Sequence, residues 1–239
     1  MIGVYDYTVI LTYISLVSSV YGMTCAVAGK FRTAIVCLAI SGLCDMFDGR
    51  IARTKKNRTD EEKSFGIQID SLCDIVCFGV FPSMICYLLG VDGVFGIIVI
   101  VYYCLCSLIR LAWYNVQESA GKQVDESGQK FYHGLPITTM AILLPLVFLL
   151  NFLIPKEAFI WILHGVLIVV GTMFVTDFRL KKPSNIGALA IAAIVGVAVL
   201  VIVLFSQYRI SRMREMEGPA LVDMDEEYET GEAGDGGKE

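Results

Sequence analysis

Runs of about twenty apolar residues, broken by short polar stretches, fill this chain from Thr8 to Ser206 and leave little material for a water-soluble core. Hydrophobic residues make up 56% of the 239, and mean hydropathy is +0.66, so one integral-membrane domain accounts for nearly everything. Helical spans are expected near residues 8–28, 33–52, 67–90, 94–115, 135–154, 158–177 and 186–206, an all-α, polytopic bundle of about seven transmembrane helices. The start, Met1-Ile-Gly-Val-Tyr-Asp6, has neither a basic n-region nor a small-residue cleavage site, so the first run reads as a retained span.

The net charge of −5 conceals two different regions. Glu215 to Glu239 holds ten acidic residues and one lysine, leaving 18 basic against 14 acidic residues before it. Residues 209–239 therefore read as an acidic, solvated, disordered tail, residues 185–208 as an additional C-terminal helix, and residues 1–184 as the main membrane domain. With a cytoplasmic N-terminus, the loops on that side carry Arg50, Arg53, Lys55, Lys56, Arg58, Lys63, Lys122, Lys130, Arg179, Lys181 and Lys182. The opposite loops carry only Lys30, Arg32 and Lys156, an asymmetry that orients the bundle. Arg209, Arg212 and Arg214 resist this scheme, because an odd span count puts them on the far side. No nucleic-acid partner is expected. All eight cysteines lie inside apolar runs and read as packing groups, with no disulfide or zinc set indicated.

Four carboxylates break the apolar pattern. Asp45 and Asp48 are three residues apart near the end of the second run, and Asp70 and Asp74 four apart in the third, so each pair shares one helix face. An aspartate within a bilayer costs roughly 2.5–3.5 kcal/mol, and crowding like charges adds repulsion. Both costs fall if the pairs converge on cations. Oxygen ligands without His or Cys suit Mg²⁺ or Mn²⁺, with calcium conceivable, and four aspartates suit two ions. Gly49, Ala52 and Gly66 are small enough to let helices or a ligand approach closely. The bland alternative is a set of interfacial ion pairs with Arg50, Arg53, Lys55 and Lys56.

The string Asp45-x2-Asp48-Gly49-x2-Ala52-Arg53 … Gly66-x3-Asp70-x3-Asp74 resembles the signature of the CDP-alcohol phosphotransferase family, membrane enzymes of phospholipid synthesis. Twelve residues, Thr54 to Phe65, stand where that family usually has eight or nine, and the surplus is a charged stretch read as a longer cytoplasmic loop. The flanks Phe65-Gly66-x3-Asp70-Ser71-Leu72-x-Asp74-x3-Phe78-Gly79-Val80-x-Pro82, Arg110-Leu111-Ala112-x2-Asn115-Val116 and Phe131-x2-Gly134-Leu135-Pro136 resemble its phosphatidylserine synthase branch.

The resemblance implies a fold, a reaction and roles. Asp45, Asp48, Asp70 and Asp74 would hold two divalent cations on the diphosphate of CDP-diacylglycerol, Gly49, Ala52, Arg53 and Gly66 would contact that substrate, and Asp74 would serve as base. L-serine would be the acceptor, phosphatidylserine and CMP the products, the bilayer the lipid source, the cytoplasm the side of access, and a homodimer the assembly. Glycerol phosphate or an inositol compound is the alternative acceptor; a transport or noncatalytic membrane protein is the distant one, disfavoured because the charge gathers at one interfacial end. Arg110 and Asn115 are the acceptor-binding candidates, although Arg110 has an equal alternative in snorkelling to headgroups. His133 reads as an interfacial hydrogen bonder, Gly134 as a turn residue and His164 as a packing contact. Tyr102, Tyr103, Trp113 and Tyr114 read as interfacial belts.

Overall fold

The computed structural model describes residue 3, residues 5–52, 54, 55, 57, 59–119 and 131–181, and, in the last span, residues 193, 194, 196, 197, 199–202 and 204. The chain divides into two compact units, Met1–Val199 and Leu200–Glu239. In the second unit the described residues are helical, and the acidic tail expected over 209–239 lies outside the described residues, as does most of the segment 185–208.

The first two helices, α1 (Ile10–Val27) and α2 (Phe31–Ala52), form a hairpin. Gly29, at φ 73°, closes α1 in the left-handed region while the Lys30 N–H reaches back to the Cys25 carbonyl at 2.8 Å. Their shared face is polar in detail: the Ser19 and Ser41 hydroxyls meet at 2.8 Å, Ser41 donates to the Ser15 carbonyl at 3.0 Å and Ser18 donates to the Cys37 carbonyl at 3.0 Å. Between apolar helices, such small hydroxyl groups permit close approach and supply the directional bonds.

The third apolar run forms one continuous rod: α3 (Asp60–Asp74), a π-helical turn (Ile75–Val80) and α4 (Phe81–Leu88). It begins seven residues before the expected 67, inside the charged stretch. Thr59 is the reason, since its hydroxyl accepts from the Glu62 N–H and the Glu62 carboxylate accepts from the Thr59 N–H, both at 3.1 Å. This capping box, with Asp60, Glu61 and Glu62 in the first turn, complements the helix dipole. Farther along, Pro82 has no N–H to give the carbonyl four residues back, Phe78. The Tyr103 hydroxyl donates to that carbonyl at 2.7 Å, so the π turn is stabilised from the neighbouring helix α5 (Gly93–Ser119). Tyr103 is fully buried in this role, which corrects its placement in an interfacial belt.

Helix α6 (Met140–Leu150) is shorter than its expected span, with a 3₁₀ turn at Ile137–Thr139 and Pro145 within it. Helix α7 (Lys156–Val175) packs along α5, where His164 stacks on Phe95 at 5.3 Å and its Nδ1 lies 2.9 Å from the Ile160 carbonyl, a packing role as expected. Two three-residue strands, β1 (Phe131–His133) and β2 (Arg179–Lys181), pair antiparallel and join the chain after α5 to the chain after α7. Gly134 makes this junction: at φ 75°, its N–H donates to the Phe178 carbonyl at 2.8 Å, and a Cβ there would stand 3.1 Å from the Thr176 carbonyl.

Among the described residues four stretches are long and apolar enough to cross a membrane: Tyr7–Val27, Asp60–Leu88, Gly93–Gln117 and Lys156–Val175, with Ile137–Leu150 shorter. Helix α2 has the length but carries Asp45, Asp48 and Arg50 near its end, which lowers its hydropathy. Ile98, Leu105, Ile109 and Trp113 leave more than half their surface exposed along α5, a pattern that suits lipid and not water. The chain is an integral, multi-pass membrane protein of helical architecture.

Candidate metal centre

The last two turns of α2 and the second half of α3 supply the acidic side chains. Carboxylate oxygens of Asp45, Asp70 and Asp74 all lie within 4.8 Å of one another. Asp45 from α2 thus meets Asp70 and Asp74 from α3 across the helix interface. Oxygens this close require a cation or a proton between them. The donor set is all carboxylate, which fits a hard divalent cation such as Mg²⁺ or Mn²⁺ and offers nothing to a thiophilic one. Three aspartates on two helices form a group competent to hold a metal ion.

Asp48 stands slightly apart and is 7% exposed. The Thr12 hydroxyl on α1 donates to its Oδ2 at 3.3 Å. A Cβ built on Gly49 would meet nothing within 4 Å, so packing inside this chain does not demand a glycine there. Gly66 lies on α3 one turn before Asp70, Ala52 ends α2, and Arg53 lies outside the described residues.

On α5, Asn115 is drawn to the centre by Ser71, the residue after Asp70, whose hydroxyl donates to Asn115 Oδ1 at 2.8 Å. Arg110 is 6% exposed; its Nε donates to the Leu135 carbonyl at 3.1 Å, and its guanidinium lies 5.5 Å from the Tyr114 ring centre. The arginine therefore ties α5 to the chain entering α6, a partner that the sequence did not disclose.

The rim is also organised. Lys55 Nζ is 2.7 Å from Asp6 Oδ2 and 3.1 Å from Glu62 Oε1, and the Tyr7 hydroxyl is 3.3 Å from that of Thr54. Hydrogen bonding to Asp6, then to Glu62, holds the Lys55 ammonium above the ordinary lysine range. Lys55 thus pairs with rim acids. Sequence reasoning did not single out Thr12, Ser71 or this rim network. A threonine in an apolar run and an aspartate 49 positions before a lysine carry no spacing signal.

A polytopic helical bundle with a carboxylate cluster between its second and third helices defines the class: a membrane protein with an acidic, metal-competent centre. Residues 7–176 match the CDP-alcohol phosphatidyltransferase family, and the chain belongs to it. It is similar to the CDP-diacylglycerol–serine O-phosphatidyltransferase of Saccharomyces cerevisiae, with 36% identity over 110 residues covering 45% of this chain and 38% of that protein. The enzyme of the same name from Helicobacter pylori strain J99 is 31% identical over 160 residues, 64% of this chain and 62% of that one. Archaetidylserine synthase of Methanothermobacter thermautotrophicus is 28% identical over 180 residues, 75% of this chain and 71% of that one. The matched region spans well under half the length of the yeast relative. No solved structure matches the chain.

Proposed function

We propose that this protein transfers the phosphatidyl group of CDP-diacylglycerol to the hydroxyl of L-serine, releasing CMP and forming phosphatidylserine. The convergence of Asp45, Asp70 and Asp74 carries the proposal, because it assembles the chemistry that the family's reaction requires from both halves of the signature. Serine as acceptor is supported by the yeast and Helicobacter relatives, whose names specify it, and by the Methanothermobacter relative, named for an archaetidylserine product.

In this reading Asp45, Asp48, Asp70 and Asp74 hold two Mg²⁺ or Mn²⁺ ions. The ions, when bound, neutralise phosphoryl oxygens and ease departure of the cytidylate. The protein's own work is placement and proton transfer. Gly49, Ala52, Arg53 and Gly66 flank the diphosphate and nucleotide, and Gly49 leaves open room beside Asp48. Asp74 takes the proton of the serine hydroxyl as its oxygen attacks the lipid-side phosphorus, and the phosphorus–oxygen bond to CMP breaks. Arg110 and Asn115, on the helix facing Ser71, form the acceptor side. The diglyceride remains in the bilayer while its headgroup enters laterally, from the cytoplasmic face, in a homodimeric protein whose domain is residues 1–184, extended by a helix at 185–208 and an acidic tail at 209–239.

The test is CMP release by purified protein given CDP-diacylglycerol, Mn²⁺ and, in parallel, serine, glycerol 3-phosphate, inositol or inositol phosphate. Serine alone is expected to support turnover, and Asp74→Asn to abolish it. Turnover with another alcohol but not serine replaces the acceptor; none with any alcohol overturns the reading.

A further inference from the structure

The hydroxyl groups of the apolar helices fall into two sets. Thr24, Ser83, Ser107, Thr172 and Thr176 each donate to a carbonyl three or four residues back, whereas Ser15, Ser18 and Ser71 donate to a neighbouring helix. Thr12 belongs to the second set, with a carboxylate as its acceptor. It is 5% exposed, sits in the first turn of α1, and directs its donor across the helix interface to Asp48 Oδ2 at 3.3 Å, a length at the long end for such a bond. Ser15, three residues on, donates across the same interface to the Ser41 carbonyl, so the α1 face that meets α2 is set in register along two turns.

We propose that Thr12 is a positioning residue for the metal centre, acting through Asp48; this rests on the metal reading given above. The signature string lies wholly within Asp45–Asp74, so it assigns nothing to α1. Asp48 is the carboxylate outside the tight group of three, and the Thr12 hydroxyl holds its Oδ2 from α1. A hydrogen bond to one carboxylate oxygen restricts rotation and leaves the other oxygen available to an ion. Fixing a ligand before the ion arrives lowers the ordering cost of binding, the usual contribution of groups behind metal ligands.

The experiment is Mn²⁺ titration of the full-length protein in lipid nanodiscs without substrate, followed by electron paramagnetic resonance. Thr12→Val keeps the shape and removes the donor; its Kd for Mn²⁺ is expected to rise about 10- to 100-fold, with the number of sites unchanged. Thr12→Ser restores the donor and is expected to return Kd to within about threefold of wild type, within the reach of small packing effects. If the valine variant does not fold, Thr12→Cys supplies a weaker donor of similar size, and an intermediate Kd is expected. In an Asp48→Asn background, Thr12→Val is expected to add nothing further.

An unchanged Kd in folded Thr12→Val overturns the proposal. So does a serine variant as weak as the valine one, or full additivity with Asp48→Asn, either of which assigns Thr12 to packing alone. Wild-type protein that binds no Mn²⁺ removes the metal reading itself, an outcome distinct from these because it precedes any variant.

Discussion

Replacing Asp70 by asparagine is expected to stabilise the metal-free protein and to destabilise it relative to wild type once metal is bound. In the tight group Asp70 has two carboxylate neighbours, Asp45 and Asp74, and at a separation of 4.8 Å and an effective dielectric constant of about 20 each repulsion is about 3.5 kcal/mol. With all three ionised at that separation, neutralising Asp70 relieves about 7 kcal/mol, and proton uptake by the cluster makes this figure a working ceiling. Even about a third of that ceiling corresponds to a rise in Tm of roughly 5–10 °C for a chain of this size. Metal has the opposite effect on the comparison: at about 100 times its Kd a single bound ion stabilises wild type by about 2.7 kcal/mol, again roughly 5–10 °C, and the variant lacks a ligand for it. Thermal unfolding of both proteins in detergent, once in EDTA and once in excess Mn²⁺, reads both signs. The reasoning is refuted if Asp70→Asn melts below wild type in EDTA, or if it retains the full metal-dependent gain.

Three further outcomes follow from the packing. Tyr103→Phe leaves the Phe78 carbonyl without its donor beside Pro82, and a loss of about 1–3 kcal/mol is expected in the same melting assay. A Cβ at Gly42 would stand 2.6 Å from the Ala141 Cβ, so Gly42→Val is expected to force α2 from α6 at a cost of about 1–3 kcal/mol, again as a lowered Tm. Because the Lys55 ammonium is held above its ordinary range, the Asp6–Lys55–Glu62 tie is fully present below that range and is lost only as pH rises through the elevated value. Amide exchange over residues 54 and 55, corrected for intrinsic rate, is therefore expected to show steady protection from pH 7 to pH 9, and high salt to weaken it.

The spans and the acidic centre were legible because each has a period. Apolar runs of helical length announce membrane rods, and carboxylates three and four apart share a face, so spacing allowed the two pairs to converge; Asp45, Asp70 and Asp74 do, and Asp48 stands outside that group. The early start of α3 was readable in principle, since Thr59 and Glu62 stand in capping-box order, but the surrounding charges suggested a loop. Tyr103 shows a different limit. As half of a Tyr-Tyr pair it looked interfacial, and only the bond missing at Pro82 on another helix explains its burial. Arg110 and Thr12 illustrate the same point at the site. Their partners, the Leu135 carbonyl and Asp48, lie 25 and 36 positions away, with no periodicity to signal them.

The central claim is that four aspartates from two neighbouring helices form one divalent-cation centre at which CDP-diacylglycerol is cleaved. Counting Mn²⁺ bound per chain while following CMP release, in wild type and in Asp45→Asn, tests it most directly. Two ions in wild type, fewer in the variant, and loss of CMP release in EDTA with recovery on adding Mn²⁺ are expected. Full CMP release in EDTA, or an unchanged ion count in the variant, would contradict it.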